Sequence, residues 1–81
     1  MNLKPIASNQ TEVEIGDITI LFSYSTPVAY HKVGQGYFRT DRFYSVTTSK
    51  HINKWLDGFP AQQVPQEQIE AILEGRGGLE K

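Results

Sequence analysis

Apolar and polar residues alternate with a period of two over the first half of the chain and move to a helical period in the second. From Thr11 to Ile15 the alternation places Val13 and Ile15 on one face. Gly16-Asp17 follows as a two-residue, glycine-first turn of the II′ kind, which matches the twist of a hairpin. Ile18 to Tyr24 then sets Ile18, Ile20, Phe22 and Tyr24 on one face, with Thr19, Leu21 and Ser23 on the other. Ser25-Thr26-Pro27 interrupts this pattern. Proline has no N–H to give to a ladder, so a bend or bulge is predicted there. Val28 to Lys32 reads as a third strand and Gly34-Gln35-Gly36 as a turn. Tyr37 to Tyr44 gives a fourth strand, broken near Asp41-Arg42, with Val46 as its continuation.

The hydroxyls of Thr47-Thr48-Ser49 supply an N-cap, and Ile52, Trp55, Leu56 and Phe59 recur as one helical stripe. Gly58 and Pro60 stop that helix. A second helix opens at Pro65, carries Ile69, Ile72 and Leu73, and ends at Gly75. Residues 1–10 show no period and read as an irregular lead-in, and 76–81 as a flexible tail. The predicted fold is α+β: an antiparallel four-stranded β-meander followed by two short helices packed on one face (ββββαα), with Trp55 as the anchor. A parallel sheet needs crossover segments, and the pattern leaves no room for them.

Length and composition narrow the picture. The 81 residues suit a single small domain spanning 1–81. No cysteine is present, which removes disulfides and thiolate metal sites. The first residues lack the apolar core of a signal peptide, and no apolar run approaches the roughly 20 residues that cross a bilayer. A cytoplasmic protein without a membrane partner is the expectation.

The net charge of −1 is unevenly spread. Lys4 against Glu12, Glu14 and Asp17 gives the first 23 residues −2. Lys32, Arg39, Arg42, Lys50 and Lys54 against Asp41 give residues 24–56 +4, and the remainder carries −3. A basic centre between acidic ends implies a polarised surface.

Thr26-Pro27-Val28-Ala29-Tyr30 and the run from Tyr37-Phe38-Arg39-Thr40-Asp41-Arg42 through Thr47-Thr48-Ser49-Lys50-His51-Ile52-Asn53-Lys54-Trp55-Leu56 carry a resemblance. The stretch resembles a family of small phage and prophage proteins of unknown function and covers the central third to half of the chain. The resemblance implies expression inside a bacterial host, and so a small accessory or host-directed protein. It assigns no catalytic residue.

Several constellations have both a chemical and a plain reading. Hydroxyls at a helix start beside Lys50 and His51 suit an anion, but capping alone accounts for them, and no glycine-rich phosphate loop is present. His31 and His51 lack metal-ligand spacing, and no nucleophile motif stands out. Neither an enzyme nor a cofactor is implied. Glu12 and Glu14 share a strand face, and Glu67, Glu70 and Glu74 a helix surface, where solvation is the ordinary explanation.

The basic centre is interleaved with aromatics, as in surfaces that stack bases or bind proteins. Tyr37, Arg39, Arg42, Lys50, His51 and Lys54 form the candidate interaction surface. The leading expectation is a non-enzymatic, phage-type protein that binds a host or phage protein through this surface. A nucleic-acid-binding module and a self-assembling homo-oligomer are the alternatives.

Overall fold

A computed structural model of the chain describes residues 2–7 and 9–73. The helix stop expected at Gly75 and the tail at 76–81 lie outside them. The described residues form six strands and two helices. In order these are β1 (Asn2–Ala7), β2 (Gln10–Ile15), β3 (Ile18–Ser23), β4 (Thr26–Lys32), β5 (Gly36–Thr40), α1 (Val46–Leu56), β6 (Ala61–Val64) and α2 (Gln66–Leu73). The fold is α+β with one mixed sheet in the order β1-β2-β3-β4-β5-β6.

The Gly16-Asp17 turn stands as expected, while the turn expected at Gly34-Gln35-Gly36 lies one residue earlier, at 33–35, with Gly36 opening β5. Ile15 pairs with Ile18 across Gly16-Asp17, and Gly16 alone of the two turn residues has a positive φ, 59°. The interruption at Pro27 is a bulge. Leu21 pairs with Ala29 and Phe22 with Pro27, so Val28 is the extra residue. The bulge lets Val28 and Ala29 join the same apolar cluster, on the side of the sheet that Leu21 faces.

Three expectations are corrected. The first is the irregular lead-in: Asn2–Ala7 is an edge strand, antiparallel to β2 in the register Asn2–Glu14 to Pro5–Thr11. Pro5 hid it from a pattern reading, but an edge has a side with no ladder to satisfy. Counting alternation from the hydrogen-bonded Ile15–Ile18 pair, Leu3 and Pro5 direct their backbone groups to the open edge, where a missing N–H costs nothing.

The second correction concerns the parallel strand. β5 and β6 are parallel, with Tyr37 opposite Ala61 and Thr40 opposite Val64. The crossover is α1 itself, so β5-α1-β6 is a βαβ unit. Ala61-Gln62-Gln63-Val64 carries too little apolar pattern to stand out as a strand before that partner is known.

The third is the placing of the helices. Ile20 and Leu21 are adjacent in β3 and so face opposite sides. Ile20 packs with Ile18, Tyr30, Val64 and the α2 residues Ile69 and Ile72. Leu21 packs with Val28, Ala29 and the α1 residues Ile52 and Leu56. The helices therefore lie on opposite faces. A sheet apolar on both sides needs two covers, and burying each of the valine, leucine and isoleucine side chains contributes about 1.5–3 kcal/mol.

Local chemistry sets the helix ends. Ser45, in extended backbone, accepts the Thr48 N–H on its hydroxyl at 3.1 Å, so the cap stands two residues before the predicted Thr47-Thr48-Ser49. Val46 opens the helix instead of prolonging a strand. At the other end Asp57 turns left-handed and its N–H reaches the Asn53 carbonyl, and Gly58 follows at φ 85°. Gln66, at the start of α2, is buried and donates from Nε2 to the Pro27 carbonyl at 2.8 Å, which ties α2 to the bulge.

Candidate interaction surface

Strand direction gathers the loops. β5 and β6 end on the same side of the sheet, where β4 begins and β3 ends. That side therefore carries the β3–β4 turn (Tyr24-Ser25), the β5–α1 loop (41–45), the start of α1 and the start of α2. Ends of parallel strands followed by helices are where α/β folds usually place ligands.

The exposed large apolar side chains cluster there. Tyr24 is 54% exposed, Phe43 71%, Tyr44 37% and Val46 63%. Val33 and Phe59 are also exposed, and both lie toward the other end of the sheet. Arg42 lies within the β5–α1 loop. Its guanidinium is 5.9 Å from the centre of the Tyr44 ring and 3.9 Å from the Glu67 carboxylate, with its backbone N–H on the Thr40 hydroxyl.

Tyr24 is strained. It takes a φ of 59° in the first position of a two-residue turn, a conformation that costs a residue with a Cβ roughly 1–2 kcal/mol. Its N–H reaches the Asn9 carbonyl at 2.7 Å, and its ring lies 5.8 Å from that of His51. Behind it, Ser23 bonds Thr48 Oγ1 at 3.1 Å and His51 Nδ1 at 2.7 Å. A serine within reach of a histidine has the outline of a nucleophile and base. Ser23 is only 1% exposed, however, so the pair pins α1 to β3 and orients the imidazole.

The six residues expected to form one surface fall in separate places. Tyr37 is half-buried between sheet and α1, stacked on Phe59 at 5.4 Å, edge-on to Trp55 at 5.6 Å and tilted against His31 at 4.5 Å. Arg39 is half-buried, with Nε 3.4 Å from the Thr40 carbonyl. His51 turns inward to Ser23, while Lys50 and Lys54 point to solvent from α1 and Arg42 joins the loop end. Trp55 is the predicted anchor, and its indole N–H donates to Glu12 at 2.6 Å. Glu12 is thus engaged by the helix rather than simply solvated.

The sequence pattern places Phe43 and Tyr44 among the aromatics of the basic centre but not in the six-residue surface, because it extends the fourth strand past the break near Asp41-Arg42 to Tyr44 and Val46; Tyr24 reads as the end of the strand that begins at Ile18. Ser45 held the signal: a cap there starts the helix at Val46 and frees 41–44 as a loop.

Among the described residues no group of three or more His, Asp or Glu side chains is placed to hold a metal. No helix among them is long and apolar enough to cross a membrane. The model of a family of unknown function, DUF8033, matches residues 1–71, a span that takes in all six strands, α1 and most of α2. The chain belongs to the DUF8033 family. No curated protein and no solved structure matches it. Membership in DUF8033 assigns no role to any residue, so the functional reading rests on the geometry of the loop end.

Proposed function

We propose that this chain is a non-catalytic binding module that engages a partner protein through the loop end of its sheet. The observation that carries the reading is that Tyr24, Phe43, Tyr44 and Val46 are all exposed at one end of the sheet, with Arg42 against the Tyr44 ring. Exposed apolar and aromatic side chains grouped with arginine are the usual composition of a protein interface. The resemblance of the central segment to phage and prophage proteins supports a host or phage protein as the partner and a bacterial cytoplasm as the setting.

Affinity capture from the host with the intact chain, with and without nuclease, tests this reading. The expected result is a protein partner that survives nuclease and is lost in a Phe43→Ser/Val46→Ser variant of unchanged fold. An unchanged partner profile in that variant overturns it. Nucleic-acid binding has weaker support, since Tyr37 and Phe38 already pack against neighbouring rings. Capture that nuclease abolishes would favour it.

A further inference from the structure

A cavity of about 200 Å3 opens beside this end of the sheet, lined by Thr11, Val13, Phe22, Tyr24 and Ser25. Thr11 and Phe22 are cross-strand partners, and Val13 lies two residues along β2, so the three share the face that α2 covers elsewhere. Tyr24 and Ser25, the two residues of the β3–β4 turn, form its wall. None of these five side chains is charged.

Two independent observations meet at Tyr24. It lines the cavity, and it holds a left-handed φ that glycine would adopt without cost. Strain kept at an exposed position points to a role for the side chain beyond closing the turn. We propose that the cavity is a socket for one uncharged aromatic side chain of the partner protein, with Tyr24 as its wall. This inference rests on the reading of the loop end as a protein interface.

The size selects the occupant. An apolar cavity of roughly 150 Å3 takes up benzene, whereas pockets for larger free ligands run to about 300–1,000 Å3. The cavity is open to solvent along much of its boundary, and its volume accommodates one ring. A charged group would lose its hydration without meeting a counter-ion. The occupant is assigned to a protein because Tyr24, which lines the cavity, is itself one of the exposed aromatic side chains at the loop end. Aromatic anchors seated in pockets commonly dominate the energetics of such contacts.

The test is a titration of the isotopically labelled chain with N-acetyl-phenylalanine amide, followed by amide NMR, with N-acetyl-lysine amide as the charged counterpart. The expected result is a saturable movement of the Thr11, Val13, Phe22 and Ser25 amides with the phenylalanine derivative only. Thr11→Phe, which fills the socket from a half-buried position, should abolish the response. Ser25→Glu, which sets a charge at the mouth of an exposed turn, should abolish it as well. Tyr24→Gly should raise the half-saturation concentration at least fivefold while its thermal midpoint stays at or above that of the parent. No saturable movement at these amides, an equal response to the lysine derivative, or a retained response in either Thr11→Phe or Ser25→Glu overturns the socket. The titration contains no partner, so its failure is distinct from failed capture at Phe43 and Val46. A positive titration with an unchanged partner profile would overturn the assignment to a protein partner.

Discussion

Gly16 and Tyr24 hold the same position in the two turns that bracket β3: each is the first residue of a two-residue loop, and each has a φ of 59°. One turn uses the residue the geometry favours and the other does not. A Cβ added at Gly16 meets nothing within 4 Å, so Gly16→Ala isolates the backbone term and should cost about 1–2 kcal/mol. Tyr24→Gly relieves that strain at a cost of about 0.5–1 kcal/mol in unfolded-state entropy, for a net gain of up to about 1.5 kcal/mol. Urea unfolding of both variants checks the pair. A clear loss for Tyr24→Gly would mean that the contact with His51 outweighs the strain.

The Trp55–Glu12 bond joins α1 to β2 across the α1 face of the sheet. Removing the indole donor leaves a half-buried carboxylate without it, so Trp55→Phe should cost about 1–3 kcal/mol beyond its lost packing. Glu12→Gln keeps an acceptor and should cost less than Glu12→Ala. Trp55 is the only tryptophan, so its fluorescence reports the docking of α1 directly in each Glu12 variant.

The position of the helix cap can be checked by three single substitutions. Ser45→Ala removes the acceptor for the Thr48 N–H and should cost about 0.5–2 kcal/mol. Thr47→Ala, at an exposed position, should be close to neutral. Thr48→Ala should be costly for another reason, because its buried hydroxyl meets Ser23. Thermal unfolding that ranked Thr47 above Ser45 would contradict the observed cap.

Arg42 and Glu67 form an exposed pair at 3.9 Å, with side chains 52% and 79% exposed. Such a pair is worth little, and Arg42→Ala should change stability by less than about 0.5 kcal/mol. Partner binding should nevertheless weaken, and a fold-intact variant of this kind separates interface from scaffold. Equal binding by Arg42→Ala would remove Arg42 from the surface.

Much of the architecture is legible in the sequence, for reasons that are local. The β2–β3 hairpin follows from Gly16-Asp17 between alternating runs, the bulge from Pro27, and the anchor from the helical spacing around Trp55. What escaped depends on neighbours distant in sequence. β1 became a strand because β2 offers an edge that tolerates Pro5, and β6 because α1 delivers Gln62 and Gln63 alongside β5. Leu21 read as part of a polar face because only one face was expected to be covered. The candidate surface changed for the same reason: Tyr37 and His51 face inward once α1 lies over the sheet, whereas Phe43 and Tyr44 are left outside once β5 stops at Thr40.

The parallel pairing of β5 and β6 has a consequence in time. β1 to β5 are linked by loops of two or three residues, so each hairpin can close on its own within microseconds. β6 must wait for residues 41–60 to be spanned, and its pairing is rewarded only after α1 has coiled and settled over Leu21 and Val28. The sheet should therefore mature from one rim to the other. Pulse-labelled hydrogen exchange is expected to protect amides of β2, β3 and β4 before those of β6, and simultaneous protection would show that the crossover helix is already in place when the meander forms.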